Sequence, residues 1–346
     1  MSLSKCLLFG TQQISLFLSD KKFNLISCSE IGRNIVRVGI IGTGNFSEKV
    51  LQALRANSTI NIVGGYDCPP FSDFELFPSL EDLLPVVDSI LVFDILASNY
   101  DNLSLVIKYG KNLYLESPGL CSRRDLRNLE MLAYESGTVI QIGLKQRFYS
   151  FYNDLDKYEV TPRIIESSRF VKFNKKSTHL SVIDDLMLHD IDVTLKLSAS
   201  EVKSIYSTAV GVLYRDPDVV NARIEFYNGC VANLSASKIS NKEVHHTKFF
   251  QNNTYCSIDY VQQVLKVQNN TGEEAISGEE WGVRTCYRQA EDSDGYIAML
   301  EKEVNSFYFC IANNADPIAG ISQYLQLQSV TDKIKEQLER NFTTNA

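Results

Sequence analysis

Apolar and polar positions alternate along the first half of the chain in two rhythms. Residues 36–41, VRVGII, form a short β-branched run closed by Gly42-Thr43-Gly44, and Glu48 to Leu54 then places Val50, Leu51 and Leu54 on one side of a helix. INIVGGY ends at Asp67, and after the amphipathic segment LEDLLPVV the run SILVF at 89–93 supplies another strand. NLSLVIKYG reads as a helix with its glycine stop, NLYLE as a strand, DLRNLEMLAYESG as a helix, and VIQIGL as the strand that ends the series. Strands alternating with helices need crossover connections, so the pattern predicts a parallel sheet in an α/β fold.

The rhythm changes after this. From Arg163 onward, segments such as ARIEFYN and CVANLSAS alternate apolar with polar residues, which predicts a mostly antiparallel open sheet with one exposed face in an α+β domain. A strand is expected at Thr247 to Phe250, with His245 and His246 beside it as surface histidines, and an amphipathic helix at Ile321 to Leu338. Residues 1–35 form an amino-terminal extension. KCLLFGT, ISLFL and FNLISCS read either as a degenerate βαβ copy of the strand that follows or as a plain extension packed on the sheet edge. The expected organisation is therefore 1–35, an α/β domain over 36–147, and an α+β domain over 148–346.

Composition narrows the function classes. With 346 residues, 44% hydrophobic and 22% charged, the chain suits two folded domains and not a disordered segment. The net charge of −8 comes without a basic stripe, which argues against nucleic acid or an anionic membrane as the partner. Eight cysteines without a C-x-x-C pair, and only four histidines, signal neither a metal site nor a disulfide framework, and a reducing cytoplasm fits them. The amino terminus lacks a continuous apolar h-region, and no run is long enough for a membrane span.

The run Gly42-Thr43-Gly44-Asn45-Phe46-Ser47 matches G-x-G-x-x-[G/A/S] between a strand and a helix. Gly42 permits the tight turn, Gly44 lets a pyrophosphate approach the backbone, Asn45 and Phe46 lead to Ser47, which is small enough for helix to meet strand, and the free N–H groups at the helix start attract phosphate. Asp67 ends the second strand, where a carboxylate accepts hydrogen bonds from ribose hydroxyls and repels a 2′-phosphate. NAD is therefore favoured over NADP, in a Rossmann-type doubly wound domain. An unrelated tight turn at Gly42 is the plainer alternative.

GIIGTGNFS, YLESPG, GLKQRF and DDLMLHDID together resemble the Gfo/Idh/MocA oxidoreductase family from Val36 to the last helix. DPDVVNARIEFYNGCVANLSASKIS and FFQNNTYCSIDYVQQ resemble its UDP-N-acetylglucosamine 3-dehydrogenase branch, associated with diamino lipid A biosynthesis. The resemblance implies NAD-dependent oxidation of a secondary hydroxyl of a sugar nucleotide, and a homodimer or homotetramer formed through the carboxy-terminal sheet. It also implies proton handling by a lysine of an E-K-P motif together with an aspartate and a histidine one helical turn apart. Asp185 and His189 match that pair at i and i+4, where an α-helix puts them on one face. Asp190 and Asp192 follow, at least one as a structural or solvent-facing residue.

The match fails at the lysine. In Glu116-Ser117-Pro118 the lysine position is Ser117, which supplies no cation for a developing alkoxide, while Glu116 and Pro118 match and shape the turn. Lys145 and Arg147 are the candidates for a replacement charge, and the plainer reading of Arg147 is that it binds a ligand carboxylate or phosphate or makes a structural ion pair. Relatives carry a small hydroxyl-proline pair where this chain has Asp94-Ile95; Asp94 either repels cofactor phosphates or faces solvent as a helix cap. Two functions stay open: a dehydrogenase, and a silent relative that binds a sugar nucleotide or a protein without hydride transfer.

Overall fold

A computed structural model describes residues 35–42, 47–71, 73–94, 97–118, 121–149, 155, 160–173, 181–213, 216–270, 283–289 and 295–343. The candidates Gly44, Asn45 and Phe46, and residues 1–34 of the extension, lie outside the described residues. The described chain forms two compact units, 35–149 with 295–330, and 155–289 with 331–343.

In the first unit, β1 (Val36–Ile41), β2 (Ile60–Tyr66), β3 (Glu75–Leu76), β4 (Ser89–Val92), β5 (Asn112–Leu115) and β6 (Ile140–Ile142) form one sheet in the order β3-β2-β1-β4-β5-β6. Every pairing is parallel. Successive side chains of a strand face opposite ways, so β1 feeds two cores. Ile41 joins Val92, Leu80 and Leu83 of α2 (Leu80–Leu83), Leu103 of α3 (Tyr100–Lys108) and Leu126 of α4 (Arg123–Ser136), while Val38 and Ile40 meet Val50, Leu51 and Leu54 of α1 (Glu48–Ala56). The predicted helices begin where short polar side chains can cap them. Ser47, Asn99 and Ser122 each accept a hydrogen bond from a first-turn N–H, and Gly137 ends α4 in the left-handed conformation at φ 67°.

The chain returns to this unit late. α6 (Gly295–Asn313) packs Leu300, Val304, Phe307 and Tyr308 into the core beneath β1, β4 and β5, although its sequence lies within the expected carboxy-terminal domain. Its apolar stripe predicts burial without saying against which sheet.

The second unit holds an eight-stranded sheet in the order β14-β13-β12-β11-β7-β10-β9-β8. Its strands are β7 (Ile164–Lys172), β8 (Val202–Val210), β9 (Val219–Phe226), β10 (Val231–Ser240), β11 (Val244–Gln251), β12 (Thr254–Asp259), β13 (Val264–Asn270) and β14 (Val283–Gln289). Among the described strands of this second sheet, only the β10–β7 pair is parallel. Val220, Ala222, Ile224 and Phe226 alternate into the core opposite Ala236, Leu234 and Ala232, as the period of two requires. β11 begins at Val244, earlier than the expected Thr247, so both His245 and His246 belong to the strand. A π-helical turn at Ile183–Met187 leads into α5 (Leu188–Ser198), and α7 (Ile321–Thr343) ends the described chain.

Candidate functional site

The order β3-β2-β1-β4-β5-β6 reverses direction between β1 and β4, and in such sheets ligands bind in the crevice at the carboxyl ends of the strands there. Gly42 follows β1 at this point with φ 101°, a conformation that side chains disfavour. A Cβ on Gly42 would stand 2.3 Å from Asp94 Cβ, so the turn must remain bare backbone. Ser47 caps α1 by accepting from the Val50 N–H, and the start of a helix favours an anion. Asp67 follows β2 directly, is exposed, and holds φ 52°, which aspartate tolerates better than most residues. Gly42, Ser47 and Asp67 thus fit the phosphates and ribose of a nicotinamide dinucleotide.

Asp94 is the discordant member of this group. It is half-buried, it packs over Gly42, and its carbonyl accepts from both the N–H and the hydroxyl of Ser98. It does not cap the next helix, because that position belongs to Asn99. Beside Asp67, burial pushes the Cys68 thiol up to about 12, so it stays protonated and inert near neutrality.

At the ends of β5 and β6, Glu116, Ser117, Pro118, Lys145 and Arg147 come into one region. The Glu116 N–H donates to the Val92 carbonyl, and its buried carboxylate meets Lys145 Nζ at 3.1 Å. Arg147 Nη1 donates to the Ile318 carbonyl. Ser117 is half-buried and Pro118 buried. Gly143, which the sequence reading passed over, lets β6 approach here, since a Cβ on it would stand 2.7 Å from the Glu116 carbonyl oxygen.

Behind these strand ends lies a second residue that was missed. Glu303 of α6 is fully buried and accepts a hydrogen bond from the Tyr114 hydroxyl at 2.8 Å, while its carbonyl accepts from Gln141 Nε2 at 2.7 Å. Burial pushes its carboxyl up to about 8, and Tyr114 and Lys145 only partly oppose the shift. Its signal in the sequence is a glutamate set between Leu300, Val304 and Phe307 on an apolar helix face.

In the second unit, Asp185 lies in the π-helical turn and His189 in the first turn of α5. The α-helical spacing expected between them is therefore interrupted, by a bulge of the kind often found at functional sites. Asp185 Oδ2 meets Lys238 Nζ of β10 at 3.1 Å, and Asp184 Oδ1 meets Lys335 Nζ of α7 at 2.7 Å. His189 is half-buried. Asp190 and Asp192 are both buried. Asp190 Oδ1 lies 3.0 Å from His245 Nε2, and the His245 ring stacks on Tyr260 at 4.1 Å. His245 is thus a structural partner of α5 and not a surface residue, while burial lowers the pKa of His246.

Lys238 is the third residue the sequence reading missed. Ala232, Leu234 and Ala236 point into the core, and Lys238 continues their phase at 8% exposure. A lysine in the buried register of an amphipathic strand was a readable signal.

No protein-family model matches the chain. It is 26% identical over 294 residues to the UDP-N-acetylglucosamine 3-dehydrogenase of Acidithiobacillus ferrooxidans, covering 82% of this chain and 93% of that protein. A solved structure of that enzyme superposes with a TM-score of 0.77 at 22% identity, covering 89% of this chain and 98% of the other. The structure of a levoglucosan dehydrogenase in complex with NADH and L-sorbose superposes with a TM-score of 0.76 at 14% identity, covering 89% and 97%. The scyllo-inositol 2-dehydrogenase (NAD(+)) of Bacillus subtilis is 24% identical over 178 residues, 46% of this chain and 51% of that protein.

Proposed function

Since the chain is a member of the Gfo/Idh/MocA family of oxidoreductases, we propose that it is a dehydrogenase that oxidises a sugar hydroxyl at the expense of NAD. The substrate is a sugar nucleotide, and the position oxidised is the 3-hydroxyl of UDP-N-acetylglucosamine. The observation that carries the reading is a bare Gly42 turn at the switch point of the sheet, with Asp67 at the adjacent strand end, in a relative of a UDP-N-acetylglucosamine 3-dehydrogenase.

Bound NAD supplies the acceptor for the hydride that leaves the carbinol carbon. The chain itself has to bind the coenzyme, orient the sugar and take one proton. Gly42 and the start of α1 hold the pyrophosphate, and Asp67 accepts from the ribose hydroxyls and disfavours a 2′-phosphate. His189 accepts the hydroxyl proton, and Asp185 hydrogen-bonds and orients the sugar. Glu116 and Pro118 shape the coenzyme-facing turn after β5. Lys145 is committed to Glu116, so its contribution is to hold that carboxylate in place. Arg147 serves the substrate through the backbone segment that it braces at Ile318.

Two features favour a second reading, a relative that binds the sugar nucleotide or a protein partner without hydride transfer: serine at 117 in place of the family lysine, and an acidic residue, Asp94, packed by its Cβ against Gly42. The readings separate when NAD and UDP-N-acetylglucosamine are mixed with purified protein. A dehydrogenase produces reduced-nicotinamide absorbance in proportion to enzyme, whereas a silent relative shows a thermal shift with the sugar nucleotide and no absorbance growth. If turnover arises only in Ser117→Lys, the natural chain is the silent relative.

The reading extends to assembly and compartment. The protein works in the cytoplasm as a homodimer or homotetramer through the open face of the eight-stranded sheet. Among the described residues, Cys68, Cys121, Cys230, Cys256 and Cys310 are free thiols and no helix is long and apolar enough to cross a membrane. Sedimentation of the purified protein as a monomer at micromolar concentration would remove the oligomer from the account.

A further inference from the structure

A buried ammonium group is costly unless a carboxylate compensates it, and Lys238 meets one particular carboxylate. The lysine is 8% exposed at the end of the buried row Ala232, Leu234, Ala236, and its Nζ stands 3.1 Å from Asp185 Oδ2. Asp185 is the aspartate that the family motif pairs with His189, and its side chain keeps 30% exposure. One carboxylate oxygen is thus held from the core side while the group still opens to solvent. The neighbouring Asp184 is held by Lys335, but that pair is 42% and 36% exposed and anchors the turn weakly. Of the two lysine contacts of the π-helical turn at Ile183–Met187, the one from Lys238 is therefore the buried one, added to the packing of Ile183, Leu186 and Met187.

We propose that Lys238 is a positioning residue of the sugar-oxidising reaction: it fixes Asp185 through Oδ2 so that Oδ1 can accept a hydrogen bond from the sugar hydroxyl, beside His189. The cation sits on the aspartate of the motif in a chain whose lysine position is Ser117. An aspartate without this neighbour would add an uncompensated negative charge where the alkoxide develops, so the pair works as a unit. The proposal rests on the dehydrogenase reading, and its test is arranged so that the two can fail separately.

The test compares the full-length parent with Lys238→Met, Lys238→Arg, Asp185→Asn and the double variant Asp185→Asn/Lys238→Met. Calorimetry with NAD and steady-state rates with UDP-N-acetylglucosamine are measured on each. Lys238→Met is expected to lower kcat by about 10²-fold while the NAD affinity stays within about twofold of the parent. Lys238→Arg should recover most of the rate, and the double variant should be no slower than the slower single variant, because residues acting as a unit are not additive. A merely structural lysine would give parental kcat in Lys238→Met and Lys238→Arg wherever they fold, and that result overturns the proposal. Should Lys238→Met fail to fold, the double variant, which buries no lone charge, carries the comparison against Asp185→Asn: a rate close to that of Asp185→Asn keeps the proposal, and a rate about tenfold or more below it overturns it. If the parent binds UDP-N-acetylglucosamine without turnover, the dehydrogenase reading falls, and the positioning role is then read from sugar-nucleotide affinity. About tenfold weaker binding in Lys238→Met and near-parental binding in Lys238→Arg keep it, and unchanged affinity removes it.

Discussion

Glu303→Gln should make the protein more stable near neutral pH, with a gain that grows with pH. The carboxyl is fully buried, burial raises it from 4.5 to about 8, and its Oε1 has no hydrogen-bond partner among the described residues. The folded state therefore holds a proton that the unfolded chain has lost over most of this range. A group whose folded pKa is raised contributes its stability fully below the unfolded value and loses it as pH rises toward the folded value. The window here runs from 4.5 to about 8. Each pKa unit is worth about 1.4 kcal/mol, so Glu303 forfeits about 3 kcal/mol between the lower end of the window and neutrality, and about 5 kcal/mol across all of it. Glutamine keeps an oxygen for the Tyr114 hydroxyl and cannot ionise, so it is spared this loss. Urea unfolding of parent and variant at about pH 5 and about pH 8 should show the gap moving toward the variant by roughly 3–5 kcal/mol. A gap that stays constant over this range would show that Glu303 is already ionised in the folded protein, and the reasoning would be refuted.

Three further outcomes follow from the ends of β1, β2 and β4. Gly42→Ala would force a Cβ to within 2.3 Å of Asp94 at φ 101°; it should cost about 2–3 kcal/mol in denaturant titration and abolish NAD binding in calorimetry. Asp94→Asn removes the negative charge of the residue whose Cβ packs against Gly42, and NAD should bind roughly 3–10-fold tighter at low salt; unchanged affinity would mean the carboxylate faces away from the phosphates. Asp67→Ala should narrow the preference for NAD over NADP by about tenfold in competitive titration, and an unaltered ratio would take Asp67 off the ribose.

Much of this was legible in the chain because local rules and tertiary packing agree. VRVGII, INIVGGY and SILVF are strands where their β-branched runs predict them, and Ser122, Asp125 and Gly137 bound α4 as cap chemistry requires. What escaped depends on partners distant in sequence. The Asp190–His245 pair joins residues 55 positions apart, on a helix and a strand that only the folded sheet brings together. The π-helical turn was hidden because i+5 hydrogen bonding leaves no distinct apolar period over five residues. α6 announces a buried stripe but not its destination under the parallel sheet. Lys238 and Glu303 are different: each breaks an apolar register with a charge, and counting that register finds both.

The measurement closest to the centre of the account is a calorimetric titration of NAD into the purified full-length chain. The account predicts saturable binding at one site per chain, lost in Gly42→Ala and strengthened in Asp94→Asn. No heat and no thermal shift at saturating coenzyme would contradict it, leaving the two-unit architecture standing without redox chemistry.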